Sequence, residues 1–302
     1  MQGVVFLDKP LGWSSRKAVN AVARIFSTEG EKRIKAGHTG TLDPMATGML
    51  PVLLGDATRF ADVGLQAEKA YRVSFDLSYQ TDTLDAEGDT TARFDGVVAE
   101  ADLLAALDAF RGEMMQVPPA YSAIRIDGKR AYDLARKGEM VAMEARPVTI
   151  LALELVAFAF PLVTLDVRCS KGTYIRSLAR DIGVALGMGG CVTALRRTST
   201  GGWPAVMMVT LEQLEAQREA CLLPMAHWLR HMRQLQLPQD QARRFLHGQR
   251  LQMPEMAAGE PAQDVALFCG QTFLGSGRLE SGMRQMVLHP AKILPSAQRR
   301  FL

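Results

Sequence analysis

The chain has 302 residues, with 35 Lys and Arg against 32 Asp and Glu, and 48% of it is hydrophobic. That length suggests two domains, or one large one with an appendage, and a core that needs no covalent staples. The composition excludes a disordered or fibrous chain, and a net charge of +3 argues neither for nor against nucleic acid.

The cysteines, Cys169, Cys191, Cys221 and Cys269, form no Cys-x-x-Cys pair. The N-terminus reads as carrying no secretory signal, so reduced thiols and a cytoplasmic location are expected. No run of about 18 uncharged apolar residues occurs, so no membrane-spanning helix is expected.

In chain order, Gly3 to Leu7 predicts a first strand. Ser14 or Ser15 can cap a helix that turns Val19, Val22, Ala23 and Phe26 inward. Glu29 to Lys35 is a charged linker. Met49 to Leu54 is apolar and too short for a helix, so it reads as a buried strand. Ala57 to Leu65 predicts a short helix. Tyr71, Val73, Phe75 and Leu77 alternate, which predicts a half-buried strand. Thr81 to Asp89 is an acidic loop, and Ala101 to Arg111 has helical spacing. Ala123 to Ile126 with Asp127-Gly128 suggests a strand and tight turn, and Ala131 to Lys137 a helix. Pro147 to Phe158 and Leu162 to Cys169 predict two antiparallel strands joined near Pro161.

Tyr174 to Leu186 predicts a helix with Ile175, Leu178, Ala179, Ile182 and Leu186 inward. Val192 to Arg197 reads as a strand and Leu211 to Leu223 as a helix. From about Arg233 glycines punctuate short strand candidates at Leu235 to Leu237, Val265 to Cys269 and Thr272 to Leu274. The mixed order favours an α+β fold with an antiparallel or mixed sheet over residues 1–232, and a small β-rich domain over residues 233–302.

The organising stretch is Gly37-His38-Thr39-Gly40-Thr41-Leu42-Asp43-Pro44-Met45-Ala46-Thr47-Gly48. Pro44 pushes Asp43 into extended geometry and fixes its own φ. Gly40 and Gly48 permit tight bends on either side, and the threonine hydroxyls can tie back to the backbone. A rigid loop displaying one acid suits a nucleophile or a general base. Asp-Pro by itself is ordinary turn vocabulary; the whole string is far less common.

This string resembles the catalytic motif of pseudouridine synthases, and in particular that of the TruB family. The likeness continues through Asp8-Lys9-Pro10-Leu11-Gly12-Trp13-Ser14-Ser15, Tyr71-Arg72-Val73, Thr81-Asp82-Thr83-Leu84-Asp85 and Lys171-Gly172-Thr173-Tyr174-Ile175-Arg176-Ser177-Leu178, in order across about the first two hundred residues. It implies a pseudouridine synthase catalytic domain followed by a PUA-like RNA-binding domain. It also implies isomerisation of uridine 55 in the T arm of tRNA, with the base flipped out of the folded RNA. No cofactor is implied: the chain has no Walker loop and no Rossmann fingerprint. The expected partner is the tRNA T stem-loop, met by a monomer with no protein partner.

If Thr173 caps its helix, Arg176 occupies the third helical position, where a cation opposes the helix dipole at a cost of ~0.3–1 kcal/mol. By itself it reads as a surface arginine. The resemblance places it beside catalytic Asp43 and a second acid, Asp85. Tyr71 by alternation is one more inward strand residue, and the resemblance sets it against the target uracil. Tyr174 and Leu195 match positions lining the uracil pocket, and Lys9 matches a lysine with a structural role near the motif loop. His38 could be a general base; the resemblance gives it instead a place in the RNA, filling the space the flipped nucleotide leaves.

Arg125, Lys129, Arg130, Lys171, Arg180, Arg196 and Arg197 are candidates for phosphate contacts or for plain solvated surface. His227 and His231 have the spacing of a helical metal pair but lack a third ligand, so no metal is expected. Asp43 could add to the base, attack C1′ or abstract a sugar proton. An RNA-binding module without catalysis, or a glycosylase, would share much of this pattern.

Overall fold

The computed structural model describes residues 1–27, 30, 33–122, 124–126, 128–135 and 143–301. The chain opens with β1 (Gly3–Lys9), α1 (Ser15–Ile25), β2 (Ala36–His38) and β3 (Ala46–Leu54). Then come α2 (Ala61–Gln66), β4 (Lys69–Asp76), the small hairpin β5 (Tyr79–Thr81) and β6 (Thr90–Arg93), α3 (Glu100–Asp108) and β7 (Gly112–Gln116). A two-residue ladder, β8 (Arg125–Ile126) with β9 (Lys129–Arg130), leads into α4 (Ala131–Ala135). The long hairpin β10 (Arg146–Ala159) and β11 (Leu162–Cys169) precedes α5 (Ile175–Ala185), β12 (Cys191–Thr200), α6 (Leu211–Gln217) and α7 (Met225–Trp228). The remainder is β13 (Arg233–Gln236), α8 (Gln239–Leu246), β14 (Leu251–Ala257), β15 (Gln263–Cys269), β16 (Thr272–Ser281), β17 (Gln285–Ile293) and α9 (Pro295–Phe301).

The main sheet runs β1-β3-β12-β4-β11-β10-β7, with β2 also paired to β3. It is mixed: β12 lies parallel to β3, with Leu195 beside Ala46, and the other neighbours are antiparallel. That single parallel pairing sets the start of β3, just after Asp43, beside the Leu195-Arg196-Arg197 run of β12.

Both faces of the β1–β3 end are covered, which is why these strands read as continuous apolar runs. Val5, Leu7, Leu50, Val52 and Leu54 pack with Val19, Val22 and Phe26 of the α1 segment. Val4, Phe6, Met49 and Leu53 point the other way, into a core shared with Phe60, Trp203, Trp228, Leu267 and Phe273. Each such side chain contributes roughly 1.5–3 kcal/mol on burial. The second core joins the main sheet to a five-stranded sheet of order β13-β15-β16-β17-β14. Polar contacts complete the seam: Lys292 pairs with Asp62 at 2.7 Å, and the Ser296 N–H donates to Asp56 at 2.9 Å.

Several expectations need correction. The helix predicted over Leu211 to Leu223 ends at Gln217 and gives way to a 3-10 turn, Arg218–Cys221. The helix predicted over Ala131 to Lys137 is described only to Ala135; its last two residues, like Ala123, Asp127 and part of the Glu29 to Lys35 linker, lie outside the described residues. α7 stops at Trp228, so His227 and His231 do not share a helix, and the His227 ring packs edge-on against Trp203.

Candidate active site

Asp43 lies between β2 and β3, and its backbone is held from both sides. Ser14 caps α1 by accepting from the Lys17 N–H. Ser15 therefore turns inward, where its hydroxyl donates to the Leu42 carbonyl at 2.9 Å and accepts from the Leu42 N–H at 2.8 Å. On the other side, the Pro44 carbonyl accepts from the Gly12 N–H at 2.9 Å and from Lys9 Nζ at 3.3 Å. Lys9 is fully buried, and its ammonium also donates to the Pro10 and Trp13 carbonyls, which uses all three protons. Burial lowers its pKa to about 8, with the Asp43 charge pulling the other way.

Two glycines are required here. Gly40 has φ 129° and Gly48 φ 95°, and a β-carbon on Gly48 would sit 2.3 Å from the Arg197 carbonyl oxygen.

Arg176 reaches Asp43 from α5. Tyr174, not Thr173, is the cap residue, so Arg176 is the second helical residue and the Thr173 hydroxyl donates instead to the Ser170 carbonyl. The cation still opposes the dipole, and the offset is local. Nη2 lies 2.9 Å from Asp43 Oδ2, and Nη1 lies 3.4 Å from Asp85 Oδ2. Nη1 also donates to the Thr83 carbonyl at 2.6 Å, and Nη2 to the Tyr121 carbonyl at 3.0 Å. Both the Arg176 and Asp85 side chains are 6% exposed, whereas Asp43 is 36% exposed. Asp85 is thus a buried counter-charge, fixed further by the Thr83 hydroxyl and the Glu87 N–H. Asp43 is the carboxylate that faces open space.

That space is a cavity of about 1110 Å³. Asp43, Arg176, Tyr71, His38, Tyr174 and Leu195 all line it. Lys9 and Asp85 stand behind it, Lys9 under the motif loop and Asp85 against Arg176. Burial raises the pKa of the Tyr71 and Tyr174 phenols. Burial also lowers that of His38, helped by Arg197 and Arg16, so its imidazole is neutral at physiological pH; its Nδ1 accepts from the Gly40 N–H at 3.3 Å. The backbone of Tyr174 is clamped by a residue with no motif to announce it. The amide of the buried Gln116 accepts from the Tyr174 N–H at 2.8 Å and donates to its carbonyl at 3.1 Å.

The basic candidates divide. Arg197 is not a surface cation: it is 1% exposed, its Nε donates to the Met49 carbonyl at 2.6 Å, and Nη2 to the Gly40 carbonyl at 3.2 Å. Arg196, its neighbour on the other face, pairs with Asp8 at 2.7 Å. Arg180 pairs with Asp181, and Lys171 bonds Gln66. The side chains of Arg125, Lys129 and Arg130 lie outside what the structure describes. Strand alternation is the signal that could have placed Arg197, since it shares a face with Leu195.

Residues 24–175 match the model of the TruB family pseudouridylate synthase N-terminal domain. The chain belongs to the TruB family of pseudouridylate synthases. Residues 176–242 match the tRNA pseudouridylate synthase B C-terminal domain, and residues 234–293 the pseudouridine synthase II TruB C-terminal model. A tRNA pseudouridine synthase B of Azoarcus sp. is 44% identical over 93% of this chain and 92% of its own length. One of Chromohalobacter salexigens is 47% identical over 91% and 89% respectively. Among solved structures, a chain of an H/ACA RNP bound to a substrate RNA containing 2′-deoxyuridine superposes with a TM-score of 0.73 at 26% identity, covering 97% of this chain and 84% of that one. A chain of a Cbf5-Nop10-Gar1 complex gives 0.72 at 26% identity, covering 96% and 84%.

Proposed function

We propose that uridine 55 in the T arm is the target of the uridine isomerisation this enzyme carries out in tRNA, and that Asp43 is its catalytic carboxylate. One observation carries the reading: the half-open Asp43 carboxylate sits 2.9 Å from a buried guanidinium, at the wall of a cavity that an aromatic ring also lines. The pair keeps the acid aimed. At about 1110 Å³ the cavity exceeds the ~300–1,000 Å³ usual for small ligands, which suits a nucleotide entering with its RNA neighbours.

The reaction rearranges one nucleoside. The N1–C1′ bond breaks, the base turns, and C5 joins C1′; the C5 proton is lost and N1 gains one. Nothing is consumed, so the protein's task is to hold a detached base without admitting water. Tyr71, Tyr174 and Leu195 supply the faces that hold it, a stacked base being worth ~1–3 kcal/mol. Asp43 acts beside the sugar, by attack on C1′, by addition to the base or by removal of a sugar proton. Arg176 balances its charge, and Asp85 holds Arg176. His38, also in the lining, fits the gap left in the RNA by the flipped nucleotide.

In this reading the enzyme works in the cytoplasm as a monomer on the T stem-loop, and residues 233–302 form a small RNA-binding domain against the catalytic domain of residues 1–232. The test is a tRNA transcript tritiated at C5 of uridine. The expected result is one tritium released per tRNA, with pseudouridine mapped at position 55. Binding without release would make the chain an RNA-binding module, and an abasic site would make it a glycosylase.

A further inference from the structure

The cavity has a second buried arginine that the reaction above does not use. Arg197 has no carboxylate partner among the described ion pairs. Burying an unpaired guanidinium is expensive, and a strand residue serving only as packing would be apolar. Its contacts are specific. Nε holds the carbonyl of Met49, on the strand that leaves the Asp43 loop. Nη2 holds the carbonyl of Gly40, three residues before Asp43. The phenol of Tyr71, from β4, lies near the same guanidinium, and both line the cavity. Gly40 supplies its carbonyl from a backbone at φ 129°, which favours glycine.

We propose that Arg197 is a positioning residue for the isomerisation: its rigid fork ties both ends of the motif loop together beside Tyr71, so that a base held on Tyr71 meets Asp43 in reacting geometry. This rests on the assignment of Asp43 and Tyr71 made above. A guanidinium suits the task and an ammonium does not, because two carbonyls in different directions, with a phenol alongside, need a planar fork of donors. The cation also favours any negative charge that gathers on the base or on the Tyr71 oxygen while the glycosidic bond is open.

The test uses the full-length enzyme on tRNA transcript under single turnover, with Arg197→Lys, Arg197→Met, Tyr71→Phe and the Lys/Phe double variant. Arg197→Lys keeps the charge and is expected to melt near the parent. Its kcat should fall by about 10–100-fold while tRNA affinity stays within about threefold, the scale set by an ångström of misplacement. Arg197→Met should fall further. In the double variant the loss should be smaller than the product of the single losses, because both act on the same placement of the base. A folded Arg197→Lys with kcat within about twofold of the parent, or losses that simply multiply, would overturn the proposal. Parent and Asp43→Asn run alongside: an inactive parent or an active Asp43→Asn sinks the underlying reading, whereas an active parent with an inactive Asp43→Asn leaves the result to speak for Arg197 alone.

Discussion

Two arginines line the same cavity, and their surroundings differ. Arg176, on α5, meets two carboxylates and two carbonyls, so its charge is balanced where it stands. Arg197, on β12, meets carbonyls and a phenol, so its charge is left over. Arg176 holds the Asp43 carboxylate at the cavity. Arg197 presents to that cavity a cation with no carboxylate partner among the described ion pairs. Burial is nearly complete at both, so the difference lies in the partners. The same contrast shows in the neighbours: Arg197 adds to the burial that depresses His38 and Lys69, and Lys69 lies at about 8 for that reason.

The largest effect that would break this contrast comes from Arg176→Met. It leaves Asp85 buried beside Asp43 with no cation between them. Unpairing a buried charge costs about 3–5 kcal/mol, and losing one electrostatic support in an active site typically costs ~10²–10³ in kcat. We expect turnover to fall on that scale with tRNA affinity nearly unchanged, measured by single-turnover kinetics beside filter binding. A near-normal rate would remove Arg176 from the site.

A smaller effect is expected at Lys9, which holds the Asp43 loop through the Pro44 carbonyl. Lys9→Met frees the Pro44 carbonyl from one of its two donors but leaves the Gly12 N–H in place. The Asp43 loop should loosen, with kcat down by about tenfold, since small misplacements of reacting groups cost up to ~10²-fold. Unchanged kcat would mean that Ser15 and Gly12 suffice to hold the loop.

The smallest effect is in the pH dependence of stability. Lys9 and Lys69 titrate at about 8 when folded, against an ordinary 10.5. Between those values the unfolded chain binds more protons, so their contribution to unfolding free energy rises with pH. Tyr71 acts oppositely: burial raises its pKa above the ordinary 10.0, so above that pH the unfolded chain loses its proton first and stability falls. Urea titrations across this range should show the rise, and Lys9→Met should shrink it. A rise of equal size in the variant would mean that Lys9 does not titrate there.

How much of this was readable beforehand depends on the kind of interaction. The Asp43 loop was legible because its geometry is written locally, in Pro44, Gly40 and Gly48. Arg176 stood out because a cation in a first helical turn needs a reason, although its cap was misplaced by one residue. Arg197 was read with the surface cations because its partners, Gly40 and Met49, are backbone carbonyls about 150 residues away, and a carbonyl leaves no mark in sequence. Gln116 escaped for the same reason. The strands of the second sheet were partly missed because Pro254 and Pro290 lie inside β14 and β17, where proline ordinarily argues against a strand. α8 was missed because eight residues give too short a period to read.

The most direct test of the central claim compares the parent with Asp43→Asn on one tRNA transcript, scoring pseudouridine by mass spectrometry and affinity by binding. The account predicts near-native affinity and no pseudouridine from the variant, because the amide keeps the shape but carries no charge and is a poor nucleophile and base. Product from Asp43→Asn at a measurable rate would contradict it.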